Sequence, residues 1–288
     1  MCKELIVKRA NSIIFLLFIL TTLTACDRSL DFFGTNTHGL ISYEMISFSR
    51  QDGDCIGDPS ITENNQRCVK INLRYPEIED TPVLDMREQL NDKIKAIILA
   101  SSTDEKTPDS IEQMAYLFMQ NYKKETVDHP ANWHLKKEVE VLINTSQIIS
   151  FAINESGYMG GAHGFYNRSF LNIDLDIMQE IKLLDVLLPS YEAELNVTGE
   201  KIFRQVRKVD FGAELEKSGY WFENGFALND NFAVTSAGLL FYFNVYDIAP
   251  YAVGATEVLI PYSDIQNLID PNGSLSIFLK PEAAANTE

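Results

Sequence analysis

"EVEVLINTSQIISFAINESGYMGGAHGFYNRSFLNIDL", Glu138 to Leu175, decides the fold of this chain. Its apolar residues are mostly Val, Ile, Leu and Phe, gathered in the runs "EVEVLINTS", "QIISFAINES" and "FYNRSFLNIDL". Runs of that composition, separated by turn-forming residues, read as strands. Between the second and third runs stands "GYMGGAHG", Gly157 to Gly164. Glycine adopts positive φ at no steric cost, so this is a tight strand connection that carries His163.

Upstream, "VKINLRYP" (Val69–Pro76) alternates cleanly, with Val69, Ile71, Leu73 and Tyr75 on one face. That period of two predicts a half-buried strand, and "ISYEMISFS" before it reads as another. Two helices follow. Thr81 and Pro82 supply a start signal, and Val83, Met86, Leu90, Ile94, Ile97 and Ile98 recur at helical spacing. Thr107 and Pro108 repeat the signal before Ile111, Met114, Ala115, Phe118 and Tyr122. Both stripes are expected to face a sheet.

Downstream, the segment from Tyr191 to Val209 reads as a helix with Leu195, Ile202 and Val206 inward. "NFAVTSAGLLFYFNVY" is a hairpin turned at Ser236, Ala237 and Gly238, and "ATEVLIPY" is a strand. "SDIQNLI" opens with a capping box, Ser263 and Gln266, and predicts a short helix. "SLSIFLK" reads as a last strand. Clustered strands with interspersed helices give an α+β class with a mainly antiparallel sheet. The expected division is an N-terminal α+β subdomain over 40–130, a C-terminal α+β domain over 131–280 and a flexible tail over 281–288.

The first 25 residues read as an export signal: Lys3, Lys8 and Arg9 precede an apolar run, Ile13 to Leu20, too short to span a bilayer. "LTAC" (Leu23–Cys26) resembles the lipobox of bacterial lipoproteins, whose cysteine carries the acyl chains, palmitate among them. Residues 26–39 are then a tether, and the protein is expected on the periplasmic side of an envelope membrane. Asp27 suggests the inner membrane. Cleavage removes Lys3, Lys8, Arg9 and Glu4, taking the formal net charge from −17 to −19. Such a field disfavours nucleic acid and attracts cationic proteins. Cys55 and Cys68 remain as a pair in an oxidising compartment and are read as a structural disulfide, worth about 3 kcal/mol in the chain-entropy account.

"YP" after a strand, "LNDKI" in a helix, "IISF" with "YMGGAHG", "LLDVL", and "AGLLFYFNVYDIAPYAVGATEVLIPYSDI" occur here in order. The pattern resembles the extracytoplasmic RsiV-type domain of lysozyme-sensing anti-sigma factors, found also beside the catalytic domain of some peptidoglycan deacetylases. The resemblance covers about Ile41 to Lys280. It implies two α+β parts and non-covalent binding of a protein such as lysozyme, or of peptidoglycan. Where an anti-sigma factor has a cytoplasmic segment and a membrane helix, this sequence has the lipobox, so the binding module is the part that carries over.

Chemistry has few candidates. No GxSxG elbow and no HExxH occur, and the histidines are His38, His129, His134 and His163. No cofactor or resident metal is expected. The candidate ligand loop comprises Tyr158, Gly160, Gly161 and His163, joined by Tyr251 from the aromatic run "YDIAPYAVG". The alternative is a peptidoglycan hydrolase using His163 with Asp174 or Asp176, two carboxylates expected on one strand face near the imidazole. A third reading is an envelope scaffold without a catalytic role.

Overall fold

A computed structural model describes residues 41–53, 55, 67–100, 107–125, 132–222 and 224–279. The segments expected to be a signal (1–25), a tether (26–39, with Cys26 and Asp27) and a tail (281–288) lie outside the described residues. The described residues all fall within one compact unit.

Six strands form the larger sheet, in sequential order: β1 (Ser42–Gly53), β2 (Cys68–Asp80), β3 (Trp133–Asn144), β4 (Ile148–Tyr158), β5 (Phe165–Asp174) and β6 (Gln179–Glu180). Every pairing is antiparallel except β2 with β3, which run parallel. A parallel pair needs a crossover, and α1 (Leu84–Leu99) with α2 (Ile111–Glu125) provides it. The β2–β3 ladder ends at Arg74 and Glu138, two residues before Pro76, which has no N–H to donate. The sheet runs across residue 130, so it draws strands from both sides of the division expected there.

Both helices bury the predicted stripes, with corrections at their edges. Met86, Leu90, Ile94 and Ile98 of α1 and Met114, Ala115, Phe118 and Tyr122 of α2 are buried against Val69, Ile71, Leu73 and Leu135. Val83, expected in the stripe, precedes the first helical turn and stands exposed. Asn91 on α1 clamps the edge of β2: Ile78 N donates to its Oδ1 (2.8 Å) and its Nδ2 donates to Ile78 O (3.0 Å). Lys137 on β3 is 2% exposed and donates to the last carbonyls of the helix end, Ile97 O (3.1 Å) and Ala100 O (2.6 Å), with Glu155 at 3.7 Å. A cation at a helix C-terminus meets the negative end of the dipole there.

The second region contains α3 (Leu183–Val186), α4 (Glu192–Arg207) and a three-stranded antiparallel sheet of β7 (Phe232–Val234), β8 (Gly238–Phe243) and β9 (Thr256–Pro261). Successive residues of β4 point to opposite faces. Ile148 therefore enters the core of this second region while Ile149 enters the helix-covered core of the first. That explains why "IISFA" is a continuous apolar run: β4 is covered on both sides. Asn172 on β5 joins the regions. It accepts from Val234 N (2.8 Å) and Ser150 Oγ (2.9 Å) and donates to Phe232 O (2.8 Å).

Three expectations fail in this half. Val206 is half exposed, and the buried face of α4 is instead Leu195, Gly199, Phe203 and Arg204. The segment after Pro261 makes two separate 3₁₀ turns rather than one capped helix, and Ser263 Oγ bonds Asp264 instead of closing a capping box. "SLSIF" is a 3₁₀ turn, Ser274–Phe278, and not a strand. The three-residue spacing of that turn buries Leu275 and stacks Phe278 on Tyr262 at 4.4 Å, leaving Ile277 exposed, and i→i+3 bonds such as Ser276 N to Gly273 O satisfy the backbone in place of a ladder. The Cys55–Cys68 disulfide is formed, with Cα atoms 5.2 Å apart.

Candidate site: a stack of exposed rings

The β4–β5 hairpin turns through residues 159–164, with Gly160 at φ 88° and Gly161 at φ 95°. Either position would strain any residue bearing a Cβ, so the glycines let the chain reverse in a short arc. Tyr158 Oη donates to Gly161 O (2.9 Å), bracing the arc from inside. His163 sits on its outer side, exposed, with Nδ1 2.8 Å from Gly164 O. A carbonyl only accepts, so Nδ1 carries the proton of this contact.

The loop 244–254 meets this turn. Tyr251 stacks on the His163 imidazole with centroids 4.5 Å apart, and Tyr246 lies 5.6 Å from Tyr251 and 6.5 Å from His163. Tyr246 is 54% exposed and Tyr251 40% exposed. The loop is pinned from below. Asn244 clamps the backbone of Arg168 on β5, accepting from its N–H (2.7 Å) and donating to its C=O (3.0 Å). Arg207, at the end of α4, donates to Val253 O (2.8 Å), and Trp221 N donates to Ile248 O (2.8 Å). Ile248 and Ala249 are buried under the ring cluster's own loop.

Tyr246 has φ 70°. A bulky side chain in the left-handed region is an outlier that costs on the order of 1–3 kcal/mol. The turn that imposes it is closed by Asp247 N to Asn244 O (3.2 Å) and by Asn244 N to the Asp247 carboxylate (2.7 Å). Glycine would fit there without strain; the chain instead holds a phenol outward beside two other rings.

The predicted residues thus divide. Tyr158, Gly160, Gly161, His163 and Tyr251 come together at one end of the β4–β5 hairpin. Asp174 and Asp176 do not join them. Gly157 pairs with Phe165 at the histidine end, whereas Asp174 pairs with Ile148 at the other, so the full length of β5, ~30 Å, separates them. The Asp174 carboxylate is engaged locally, accepting from Asp176 N (2.9 Å) to close the β5–β6 turn. Among the described residues no group of three His, Cys, Asp or Glu side chains converges as a metal-holding set. An open depression of about 770 Å³ along α4, lined by Val197, Lys201, Arg204, Gln205 and Phe211, shares no residue with either loop.

Sequence reasoning passed over the supports. Arg168 packs its guanidinium on Phe170 and Tyr242, 5.4 and 5.6 Å from the ring centroids, and pairs with Glu257 (2.9 Å). Burial, with the neighbouring Tyr166 hydroxyl, pushes the Tyr242 phenol up to about 12. Trp221, 52% exposed, adds another large surface ring beside the 244–254 loop. The asparagines were the available signal: Asn231 and Asn244 flank β7 and β8, where side-chain amides can substitute for strand pairing.

Residues 62–166 match the family model described as Deacetylase PdaC, and residues 185–263 match the model described as a protein of unknown function, DUF3298. No curated protein matches the chain. A solved DUF3298 family member from Bacteroides fragilis is 22% identical, with a TM-score of 0.62 over 82% of this chain and 96% of its own. A DUF3298 family protein from Pseudomonas aeruginosa is 19% identical, with a TM-score of 0.57 over 80% of this chain and 96% of its own. His163 falls in the first matched segment and Tyr246 and Tyr251 in the second, so the ring cluster forms where the two meet. The chain therefore has the fold of these DUF3298 proteins and joins a segment similar to the PdaC model to one similar to the DUF3298 model.

Proposed function

We propose that the protein is an envelope lipoprotein, acylated at Cys26, whose RsiV-like module binds a partner non-covalently through His163, Tyr246 and Tyr251. The observation that carries this reading is the strained, outward-facing Tyr246 beside two more exposed rings. Strain at an exposed aromatic residue is a cost the fold itself has no use for, and tyrosines on a rigid frame make good interface anchors. The acidic chain, with its formal charge of −17 before cleavage, favours a cationic protein, a lysozyme-like enzyme being the sharpest candidate. Peptidoglycan itself is the second candidate, since saccharide faces also pack on aromatic rings. Asp27 favours the inner membrane as the site of anchoring.

The test is binding of hen-type lysozyme and of purified sacculi to the full chain in detergent, at low and physiological salt. Lysozyme binding is expected to weaken with salt, chiefly through a slower association rate. Tyr246→Ala and Tyr251→Ala are each expected to weaken it by about tenfold or more. Absence of lysozyme binding at low salt would remove the cationic partner, and unchanged affinity in both variants would remove the ring cluster. A hydrolytic reading built on His163 with Asp174 or Asp176 gains no support from a geometry that puts a whole strand between them.

A further inference from the structure

We propose that the free edge of β1 pairs antiparallel with β1 of a second copy of this chain, about a two-fold axis through Ser47, joining two six-stranded sheets into one. Among the described residues β1 is the end of the strand order, paired only with β2. It is 12 residues long and mostly exposed, with no proline. A long edge strand is a template for another strand, and proteins that avoid such pairing shorten, bulge or break the edge. Here the pairing with β2 runs without a shift from Tyr43 to Gly53, leaving a regular outer edge.

The sequence of this edge is complementary to itself. A two-fold antiparallel pair places the same sheet face of both copies on one side, so opposed positions must sum to an even number. The even-numbered side chains face the helix layer, since Phe48 packs on that core and Asp52 pairs with Lys123 of α2 (2.8 Å). With Ser47 on the axis, Glu44 lies opposite Arg50 of the second copy, and Ile46 opposite Phe48. Symmetry makes each pair twice. Moving the axis to Phe48 sets Glu44 against Asp52, a like-charge pair. Moving it to Ile46 sets Glu44 against Phe48 and leaves its charge unmatched. Glu44 also sits directly across from Glu77 of β2. Like charges opposed on a sheet are destabilising, and an arginine on the other flank of Glu44 offsets that. The acidic net charge opposes association over longer range, so pairing is expected to strengthen from low to physiological salt, where body-to-body repulsion is screened more than contact pairs.

The experiment uses the full-length chain in detergent, with the parent chain as background for its native cysteines. In the proposed register Ser47 faces itself across the axis with Cβ atoms about 4.5–5.5 Å apart, while the two Met45 positions are ~13 Å apart. Ser47→Cys is therefore expected to form a disulfide-linked dimer on mild oxidation, and Met45→Cys to stay at background. In the Ser47→Cys chain, adding Arg50→Glu is expected to reduce cross-linking by about tenfold, and the swap Glu44→Arg with Arg50→Glu to restore it. Equal cross-linking at 45 and 47, none at 47, or failure of the swap to restore what Arg50→Glu removes would each overturn the proposal.

Discussion

The two regions of this protein reach order by different routes. The helix-covered sheet is regular: β1 and β2 pair almost without interruption, α1 and α2 lay down apolar stripes, and the core is mostly aliphatic. The region after β6 has few long elements. Its core holds Phe203 with Tyr220, Phe222, Phe226 and Phe243 at centroid distances of 5.0 to 6.5 Å. Its backbone is tied by side chains, as where Arg204 donates to Asp210 O (2.8 Å) and Ala213 O (3.0 Å) and Tyr262 Oη donates to Thr235 O (2.8 Å). Ladder hydrogen bonds need a periodic sequence; side-chain clamps need only one correct residue at one position. Function, on the reading above, lies where a clamped loop of the second region meets a tight turn of the first.

The sharpest way to break the contrast is to empty the aromatic core. Phe203 is fully buried, and Phe203→Ala is expected to cost about 3–5 kcal/mol. Ile94→Ala on α1, also buried, removes less volume and is expected to cost about 2–4 kcal/mol. Urea denaturation followed by near-ultraviolet circular dichroism and by amide exchange separates the two. Loss of protection confined to each variant's own region supports two semi-independent cores; equal loss everywhere in both shows one cooperative unit.

Next in size is Asn172, the buried link between the sheets. Asn172→Leu leaves Ser150 Oγ, Phe232 O and Val234 N without their partner. Unpaired buried groups cost about 1–3 kcal/mol each, with partial relief from relaxation, so about 2–4 kcal/mol is expected in all. Amides of β7 should lose protection before those of α1. The same protection order in parent and variant would mean that the apolar contacts across β4 hold the regions together without the amide.

This asymmetry decides how much was legible beforehand. Val69, Ile71 and Leu73 alternate, and Leu90, Ile94 and Ile98 recur, because a sheet face and a helix face impose periods of their own. The strands and the two helices of the first region follow directly. In the second, "SLSIF" alternates just as well, yet it becomes a 3₁₀ turn because Phe278 finds Tyr262 and the backbone closes on itself. Val206 fits a helical stripe but stays exposed, because the face that packs inward runs through Leu195, Gly199 and Phe203, with Arg204 beside it reaching two carbonyls. At the site, local glycines announced a turn around His163 and "YDIAPYAVG" announced an aromatic loop. Their meeting at 4.5 Å rests on long-range clamps, Asn244 on Arg168 across 76 residues of chain and Arg207 on Val253, that no window of sequence displays.

A smaller effect, about 1–3 kcal/mol, is expected from Lys137→Met, which removes the donors to Ile97 O and Ala100 O and leaves Glu155 with a buried neighbour of no charge. The frayed end of α1 should appear as faster exchange in its last turn only. Rescue by Arg rather than Met would not be expected, because the wider guanidinium does not fit a site 2% exposed.

The subtlest separation uses pH, because each region holds a titrating group whose sign is opposite to the other's. Burial lowers the Lys137 ammonium below the usual 10.5, with Glu155 opposing the shift. The unfolded chain then binds more protons between the lowered value and 10.5, and this group makes stability rise with pH across that window. Burial, with the Tyr166 hydroxyl beside it, raises the Tyr242 phenol up to about 12 against an unfolded value of 10.0. Here the folded chain holds the extra proton. The contribution is fully present below pH 10 and is lost as pH climbs toward about 12. Tyr242→Phe should therefore change stability little at pH 7 and flatten the fall above pH 10, while Lys137→Met should flatten the rise below it. Denaturation curves between pH 8 and about 11.5 on parent, each variant and the pair measure this, and additive slopes are the expected result for groups in separate regions. A Tyr242→Phe chain that declines above pH 10 as steeply as its parent would place the alkaline sensitivity elsewhere, with Tyr262, raised by burial beside Thr235, as the next phenol to replace.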